Sequence, residues 1–352
     1  MKSNYMNNKA IFIGGVGRSG TTLVKELLNK HHEIAAFGET KLVNEKFFLN
    51  FPFLVYKYPL HLRTYLLTIY EQLCTTYLYC RLAFPRTRHL RERCWLYYEK
   101  LWPLRLQFPK FFMFNNFVWH MLEKAWLPEL LQKFISGQKT SAHIRGFPAR
   151  GWRGLYEIFE KKDIKQCFAH LAPLANVATL DEAYRVYGEF WNCVFSTYVQ
   201  KQKKKYWAEK TPGNAFHALF LKQCFSNLKF INLVRDGRDA ACSAKEFWGT
   251  DMKRYLDEWA FNLVTTMRDQ EKIPKNYYLN IRYEDLVSDT QTTLKKITDF
   301  LEVDFDTNML SSPVSSASVG RYKHEFDPNL KDYAKYKYGF LLTQWGYYTY
   351  EN

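Results

Sequence analysis

A glycine-rich loop with two adjacent hydroxyl residues is the first stretch of the sequence that could do chemistry. Residues 15–22 read Gly-Val-Gly-Arg-Ser-Gly-Thr-Thr and lie between an apolar run and a predicted helix. Glycines let the backbone approach a phosphate closely, and the start of a helix presents free backbone N–H groups to an anion. We call residues 15–22 the glycine loop and predict that it binds a phosphate. The candidate ligands are Gly17, Arg18, Ser19, Gly20, Thr21 and Thr22.

The spacing of the glycine loop resembles a P-loop, but Thr21 stands where the P-loop lysine would be. That lysine reaches the β- and γ-phosphates of a nucleoside triphosphate. Its absence favours a nucleotide that lacks those phosphates. Gly15, Gly17 and Gly20 also spell GxGxxG, and Glu39 lies near the distance expected for the ribose-binding acid of a dinucleotide fold. A dinucleotide therefore stays an alternative on this segment alone.

A second candidate anion site lies at Arg235, directly after an apolar run that predicts a strand. Ser243 follows eight positions later, on the predicted next helix. Parallel strands would place Arg235 at the same sheet edge as the glycine loop, where open α/β sheets bind ligands. Arginine and serine there could hold a second phosphate. Local ion pairs are the favoured interpretation of Arg238 and Asp239, and Asp236 without a P-loop lysine predicts no magnesium site.

These two motifs together resemble those of sulfotransferases that use 3′-phosphoadenosine 5′-phosphosulfate (PAPS). Residues 17–23 are similar to the family's 5′-phosphosulfate loop, and residues 233–239 with Ser243 are similar to its 3′-phosphate motif. Residues 283–287, Tyr-Glu-Asp-Leu-Val, resemble a strand-end motif of the same family. The protein-tyrosine sulfotransferase branch and related bacterial enzymes share these motifs best. The resemblance implies PAPS as sulfuryl donor and 3′-phosphoadenosine 5′-phosphate (PAP) as product.

The resemblance also implies roles for single residues. Glu39 matches the catalytic base in the Gly-Glu-Thr stretch of tyrosine sulfotransferases, and Lys210 resembles the lysine that stabilises charge on the transferring group. Arg18 would contact the sulfuryl oxygens or the acceptor, while Tyr283 and Arg321 would add nucleotide contacts. From the residues alone, a glutamate that caps a loop and an exposed lysine remain alternatives for Glu39 and Lys210.

Strands and helices alternate in the two parts of the chain that carry these residues. The apolar run Ala10–Gly15 is typical of a buried parallel strand, and apolar residues at helical spacing predict helices over Thr21–Lys30 and Thr290–Leu301. The predicted fold class is therefore α/β, with a P-loop-like parallel sheet flanked by helices. Further strands are predicted at 34–37, 205–208, 229–234 and 278–283, and further helices at 239–247 and after Asn214 as N-cap.

Residues 46–204 break this alternation. They are rich in aromatic residues and arginine and are interrupted by prolines, which predicts a large, mostly helical insert that caps the sheet and meets the acceptor. The PAPS-binding core is then 1–45 and 205–352. Five arginines between 81 and 93 favour a solvated helix face, with attachment to an anionic membrane or an acidic acceptor as the alternative.

The bulk composition limits the partners. The 352 residues carry a formal net charge of +15 and are 18% aromatic, which favours anionic ligands. No nucleic-acid-binding module is recognisable, so nucleic acid is not an expected partner. No histidine is accompanied by further residues in a metal-ligand pattern, so no metal is expected. Seven cysteines without a CxxC pair, no secretory signal and no apolar run of about 18 residues predict unpaired thiols in a cytoplasmic, at most membrane-peripheral, protein.

The sequence therefore predicts an enzyme that transfers the sulfuryl group of PAPS to a hydroxyl. The aromatic insert favours a lipid-like, sterol-like or phenolic acceptor over a tyrosyl peptide or glycan. An NAD(P)-dependent oxidoreductase would leave Arg235, Ser243 and Lys210 unexplained, and a non-catalytic nucleotide-binding protein would leave Glu39 and Lys210 unexplained. The sequence does not indicate an oligomeric state.

Overall fold

The computed structural model describes residues 9–40, 46–64, 66–68, 71, 159 and 161–348. All of them lie in one compact unit formed by Met1–Thr75 and Arg153–Asn352. The arginine run at 81–93 and most of the predicted insert fall outside the described residues. Within these residues, no helix combines the length and the apolar character that crossing a bilayer requires.

A five-stranded parallel sheet forms the centre of the described residues, with strand order β2-β3-β1-β4-β5. The predicted α/β class with a P-loop-like parallel sheet is confirmed. Because every neighbouring pair is parallel, the carboxyl ends of all five strands meet at one edge. The strands are β1 (Ala10–Gly15), β2 (Ile34–Phe37), β3 (Tyr206–Lys210), β4 (Leu228–Val234) and β5 (Tyr278–Arg282).

Helices cover both faces of this sheet, as parallel strands buried on two sides require. The described residues also form 3-10 helices in the connections between these elements, at Phe168–Asn176, Pro212–His217, Lys275–Tyr277 and Thr307–Ser311. The described α-helices are α1 (Thr21–Lys30), α2 (Lys46–Lys57), α3 (Lys161–Lys165), α4 (Leu180–Lys201), α5 (Ala218–Cys224), α6 (Gly237–Trp248), α7 (Met252–Gln270), α8 (Tyr283–Ser288), α9 (Thr290–Leu301), α10 (Tyr322–Glu325) and α11 (Pro328–Gln344).

Alternate residues of β1 build the two halves of the core, because successive side chains of a strand point to opposite faces. Ile11 and Ile13 pack with apolar residues of α1 and α9. Phe12, between them, lies against the ring of Trp207 at a centroid distance of 5.2 Å. Phe195 of α4 contacts the same indole at 4.8 Å. Helix α4, which lies within residues 46–204, thus packs directly on the sheet.

The cysteines differ from the prediction. Cys167 and Cys193 form a disulfide, with their Cα atoms 5.8 Å apart, so the prediction of unpaired thiols is wrong for this pair. Packing of the Phe168–Asn176 helix against α4 brings the two residues together, and a separation of 26 residues gives no local sign of it. Cys224 and Cys242 are free and buried. A disulfide is typical of an oxidising compartment, so the cysteines no longer support a cytoplasmic location.

Candidate functional site

The glycine loop connects the carboxyl end of β1 to the start of α1, as predicted. Gly20 is the N-cap residue of helix α1 and has a φ of 95°, in the left-handed region. A Cβ on Gly20 would meet the ring of Tyr283 at 2.4 Å, so only glycine fits. Helix α1 begins without a side-chain cap, which leaves its first-turn N–H groups available to an anion.

Arg235 follows β4 at the same sheet edge and contacts the glycine loop. Its Nη1 donates to the carbonyl of Arg18 at 3.1 Å, and its Nη2 donates to the carbonyl of Ser318 at 2.6 Å. The guanidinium also lies over the ring of Tyr283, 4.5 Å from the centroid. The two predicted anion sites and Tyr283 are therefore brought together around one buried arginine, which is 5% exposed.

Two buried polar atoms at this edge fit a phosphorylated ligand. Among the described residues, Ser19 Oγ and Arg235 Nε have no hydrogen-bond partner. A buried donor without a partner costs free energy, since it has lost its bonds to water. Both groups can donate to an anionic oxygen, and both belong to the motifs assigned to phosphates. The residues present therefore suit a nucleotide with phosphate groups.

Arg18 is held against helix α6. Its Nε donates to Ser243 Oγ at 3.1 Å, and its guanidinium lies over the ring of Phe247 at 4.3 Å and near that of Trp248 at 5.6 Å. Burial lowers the pKa of Arg18, and the positive charge of Arg235 lowers it further. Arg18 and Ser243 are thus neighbours, which places the glycine loop beside the residues assigned to the second phosphate.

Helix α7 contacts both predicted anion sites, a role that no motif in the sequence indicates. Tyr255 donates its hydroxyl proton to the carbonyl of Gly17, and Trp259 donates its indole N–H to the carbonyl of Arg235 at 3.2 Å. The two side chains are four residues apart and therefore lie on one face of the helix. Burial raises the pKa of Tyr255. Because these contacts reach across more than 20 residues of chain, only the packed structure reveals them.

Glu39 and Lys210 form an ion pair where β2 and β3 end. The ammonium Nζ of Lys210 donates to Oε1 of Glu39 at 2.9 Å. The Lys210 side chain is 6% exposed and that of Glu39 is 21% exposed. Lys210 pairs in register with Ile13 of β1, two residues before the glycine loop begins. The structure thus places a partly accessible carboxylate and a buried ammonium together, next to the loop.

The segment at residues 312–321, called here the late loop, is anchored to the second anion site. Tyr283 Oη and Ser318 Oγ are 2.7 Å apart. Asp239 accepts backbone N–H bonds from Gly320 at 2.6 Å and from Tyr322 at 3.1 Å. Asp239 was expected to form a local ion pair. In the structure its carboxylate instead accepts hydrogen bonds from the backbone at the end of the late loop. Burial raises the pKa of the Asp239 carboxyl.

Arg321 and Arg238 both form ion pairs with carboxylates of the protein. Arg321 pairs with Glu246 at 2.7 Å and with Glu325 at 2.6 Å, and these hydrogen bonds raise its pKa. The structure does not bring Arg321 into hydrogen-bond contact with the other predicted ligands in the described residues. Arg238 pairs with Asp236 at 2.7 Å, which agrees with the local ion pair expected for Arg238.

A cluster of His31, His32 and Asp306 brings possible metal-ligand atoms within 4.8 Å of one another. Both ring nitrogens of His31 are already used, however. Its Nδ1 accepts the backbone N–H of Glu33 at 3.0 Å, so its Nε2 carries the proton and donates to the carbonyl of Asp304 at 2.9 Å. The cluster is therefore a long-range hydrogen-bonded contact, since a metal would need one of these ring nitrogens.

Comparison with known proteins places this geometry in a family. A model of the sulfotransferase family matches residues 10–73 and 139–307, which extends the two motif regions into the predicted insert. Protein-tyrosine sulfotransferase A of Caenorhabditis elegans is 27% identical over 108 residues, which is 29% of this chain and 28% of that protein. This chain thus matches less than a third of the length of that relative.

Two solved structures are similar over most of this chain at low identity. The sulfotransferase domain of the Synechococcus PCC 7002 olefin synthase has a TM-score of 0.41 at 17% identity, over 94% of this chain and 86% of that one. Sulfotransferase STF9 of Mycobacterium avium has a TM-score of 0.39 at 12% identity, over 86% of this chain and 66% of that one. Because the family model matches more than half of its residues, this chain belongs to the sulfotransferase family.

Proposed function

We propose that this sulfotransferase moves the sulfuryl group of PAPS to a hydroxyl of an acceptor. The observation that supports the proposal is that the residues of the two predicted oxyanion sites contact each other at one sheet edge. Arg235, from the second site, donates to the backbone of Arg18 in the glycine loop at 3.1 Å. One ligand with a phosphate at each end of an adenosine would satisfy both sites, and PAPS is such a ligand.

The proposed nucleotide contacts follow from this arrangement. The glycine loop and the first turn of α1 would hold the 5′-phosphosulfate, because their N–H and hydroxyl groups all donate. Arg235 and Ser243 would hold the 3′-phosphate, as a charged donor beside a hydroxyl. Tyr283, which packs on both Gly20 and Arg235, would fix the distance between the two sites.

Glu39 and Lys210 are the proposed catalytic pair. Glu39 takes the proton of the acceptor hydroxyl while the new S–O bond forms and the S–O bond to the 5′-phosphate breaks, leaving its electron pair on PAP. Lys210, whose Nζ is 2.9 Å from the carboxylate of Glu39, stabilises the negative charge that grows on the bridging oxygen. Retention of both groups favours an enzyme over a non-catalytic nucleotide-binding protein.

The aromatic surface beside Arg18 supports an acceptor with an apolar or aromatic body. Phe247 and Trp248 are 43% and 36% exposed, and both contact the guanidinium of Arg18. Exposed aromatic rings next to a reacting centre favour lipid-like, sterol-like or phenolic hydroxyls. The partly matching relative named a protein-tyrosine sulfotransferase keeps a tyrosyl peptide, itself a phenol, among the candidates.

Thermal unfolding with PAP, NAD and ATP tests the proposed nucleotide. A ligand that binds only the folded state stabilises it by about 2.7 kcal/mol at 100 times its Kd. We expect PAP to raise the Tm, and NAD and ATP at the same concentration to leave it nearly unchanged. Incubation with PAPS and a panel of phenols, sterols, sugars and tyrosyl peptides should then give sulfated products. A larger shift with NAD than with PAP would contradict the proposal.

Replacing Arg235 with alanine should weaken PAP binding by about 10- to 100-fold, because a hydrogen bond to a charged group contributes about 1.5–3 kcal/mol. Arg235→Lys should recover only part of this loss, since lysine lacks the planar fork of donors. Isothermal calorimetry gives the Kd values. Arg254→Ala is the control, because Arg254 is an exposed arginine paired with Glu258 on the same helix. Equal affinities in wild type and Arg235→Ala would remove Arg235 from the site.

A further inference from the structure

Glu209 is a buried carboxylate beside Lys210 that the proposed mechanism leaves unused. It lies at the end of β3 and is 0% exposed. Its register partner in β2 is Phe37, two residues before Glu39. Burial in apolar surroundings makes a carboxylate costly unless hydrogen bonds compensate it. A buried carboxylate this close to both proposed catalytic residues is therefore expected to serve the site.

The hydrogen bonds of Glu209 reach the residues that directly follow Glu39 and Lys210. Oε1 accepts the backbone N–H and the hydroxyl of Thr40, both at 2.9 Å, and the hydroxyl of Thr211 at 2.6 Å. Oε2 accepts the side-chain amide of Asn214 at 2.6 Å. One carboxylate thus joins the backbone after the proposed base to the turn after the proposed lysine.

Asn214 extends this connection to β1. Its amide nitrogen also donates to the carbonyl of Ile13 at 3.3 Å, close to the start of the glycine loop. Asn214 was predicted as a helix N-cap, and this prediction is wrong, because it lies within the 3-10 helix Pro212–His217. Its side chain serves the carboxylate of Glu209 instead of a helix end. Three strand ends of the site therefore converge on Glu209.

Neutral donors surround Glu209 in the described residues, and none of these bonds goes to the ammonium of Lys210. That ammonium bonds to Glu39 instead. Burial raises the pKa of the Glu209 carboxyl, and the bonds from Thr211, Asn214 and Thr40 lower it. The ammonium of Lys210 is thus paired with Glu39, while Glu209 bonds to the backbone after Glu39 and to the side chains that follow Lys210.

We propose that Glu209 is a positioning residue for sulfuryl transfer, which sets the separation of the Glu39 carboxylate and the Lys210 ammonium through Thr40, Thr211 and Asn214. This inference rests on the proposed function. Reacting groups must be held within about 0.5 Å of the productive geometry, and a displacement of about 1 Å can cost 100-fold in rate. Glu39 follows β2 and Lys210 ends β3, and the residue after each of them, Thr40 or Thr211, donates to the one carboxylate of Glu209, so these bonds limit the separation of Glu39 and Lys210.

Glu209→Gln is the variant that tests the inference with the least change in shape. The new amide oxygen can accept from Thr40 and Thr211. Its NH2 group can donate to Oδ1 of Asn214, a buried atom without a partner among the described residues, once the Asn214 amide rotates by half a turn and loses its 3.3 Å bond to the Ile13 carbonyl. We expect kcat for sulfuryl transfer to fall by about 30- to 100-fold. The KM for PAPS and the Kd for PAP should stay within about threefold of wild type.

Asp306→Asn is the matched control. Asp306 is also buried, at 8% exposure, and also accepts several bonds, from the backbone and ring of His32 and from the backbone of Asn308. His32 precedes β2, so Asp306 lies at the amino edge of the sheet, opposite the site. If Glu209 has only a structural role, Glu209→Gln should behave like Asp306→Asn. Both variants should then have a lower Tm, and the folded enzyme should keep its wild-type kcat.

Thr211→Val and a double variant complete the test. Thr211→Val removes one donor to Glu209 and should lower kcat about tenfold with PAP affinity unchanged, which covers the case in which Glu209→Gln does not fold. If Glu209 acts by setting the separation of Glu39 and Lys210, Glu209→Gln should lower kcat much less in a Glu39→Gln background than in the wild type, because the base that it positions is already lost. Additive losses of kcat would show that Glu209 acts independently of Glu39 and would overturn the inference.

The outcomes separate this inference from the proposed function. Wild-type transfer with a slow Glu209→Gln variant that binds PAP normally supports both. Wild-type transfer with Glu209→Gln and Thr211→Val as fast as Asp306→Asn overturns the inference and leaves the proposed function standing. A wild-type protein that neither binds PAP nor transfers sulfuryl from PAPS overturns the proposed function, and the positioning role with it.

Discussion

Glu39→Gln is expected to lower kcat for sulfuryl transfer by about 10²- to 10⁴-fold, the usual contribution of a general base. Glutamine keeps the shape of the side chain but cannot take the proton of the acceptor hydroxyl. The carboxylate of Glu39 is 21% exposed and accepts from Lys210, so an acceptor can approach it. PAP should still bind with wild-type affinity, because within the described residues Glu39 bonds to Lys210 and not to the glycine loop or to Arg235. Steady-state transfer from PAPS and calorimetry with PAP measure the two quantities.

Glu33→Gln is the control for this variant. Glu33 has a similar exposure, 28%, and also pairs with a lysine, Lys205, at 3.2 Å. It precedes β2 and therefore lies at the opposite edge of the sheet. Its substitution should change kcat by less than twofold. Full transfer activity in Glu39→Gln would reject Glu39 as the base. Loss of PAP binding together with activity would show that the substitution disrupts the site as a whole.

Lys210→Met is expected to lower kcat by about 10²- to 10³-fold, the range measured when one donor to a developing oxyanion is removed. Methionine fills the buried volume of the lysine stem, which is 5% exposed as a residue, and removes the ammonium. The carboxylate of Glu39 then loses its 2.9 Å partner. The KM for PAPS should change less than kcat, because the ammonium acts mainly on charge that grows during transfer.

Lys204→Met is the matched control for Lys210→Met. Lys204 is a half-buried lysine whose ammonium donates to the carbonyls of Asn29 and Ile34 at 2.7 and 2.9 Å. These contacts lie at the amino end of β2, far along the strands from the site. A kcat within threefold of wild type in Lys210→Met would remove Lys210 from the chemistry. Glu39→Gln and Lys210→Met should also be strongly non-additive, because the two groups touch.

The disulfide and the late loop show where prediction from the sequence ended. Helix Thr290–Leu301 was predicted to the residue, because apolar spacing within 12 residues decides it. The pairing of Cys167 with Cys193 depends on how two helices pack, and spacing along the chain does not report that. Arg321 pairs with Glu246 and Glu325, and these pairings depend in the same way on the path of the late loop. A basic residue in a loop predicts a negatively charged partner, but not whether that partner is a phosphate or a glutamate of the protein.

The local part of the site follows from the sequence alone. Apolar runs of about six residues define the parallel strands, and their order along the chain fixes that the glycine loop and Arg235 emerge at one edge. The tertiary structure alone decided which side chains hold these pieces in place: Tyr255 and Trp259 on one side, and Glu209 on the other. The physical reason is range. Periodicity and backbone conformation depend on neighbours in sequence, whereas a buried hydrogen bond depends on which strands and helices pack together.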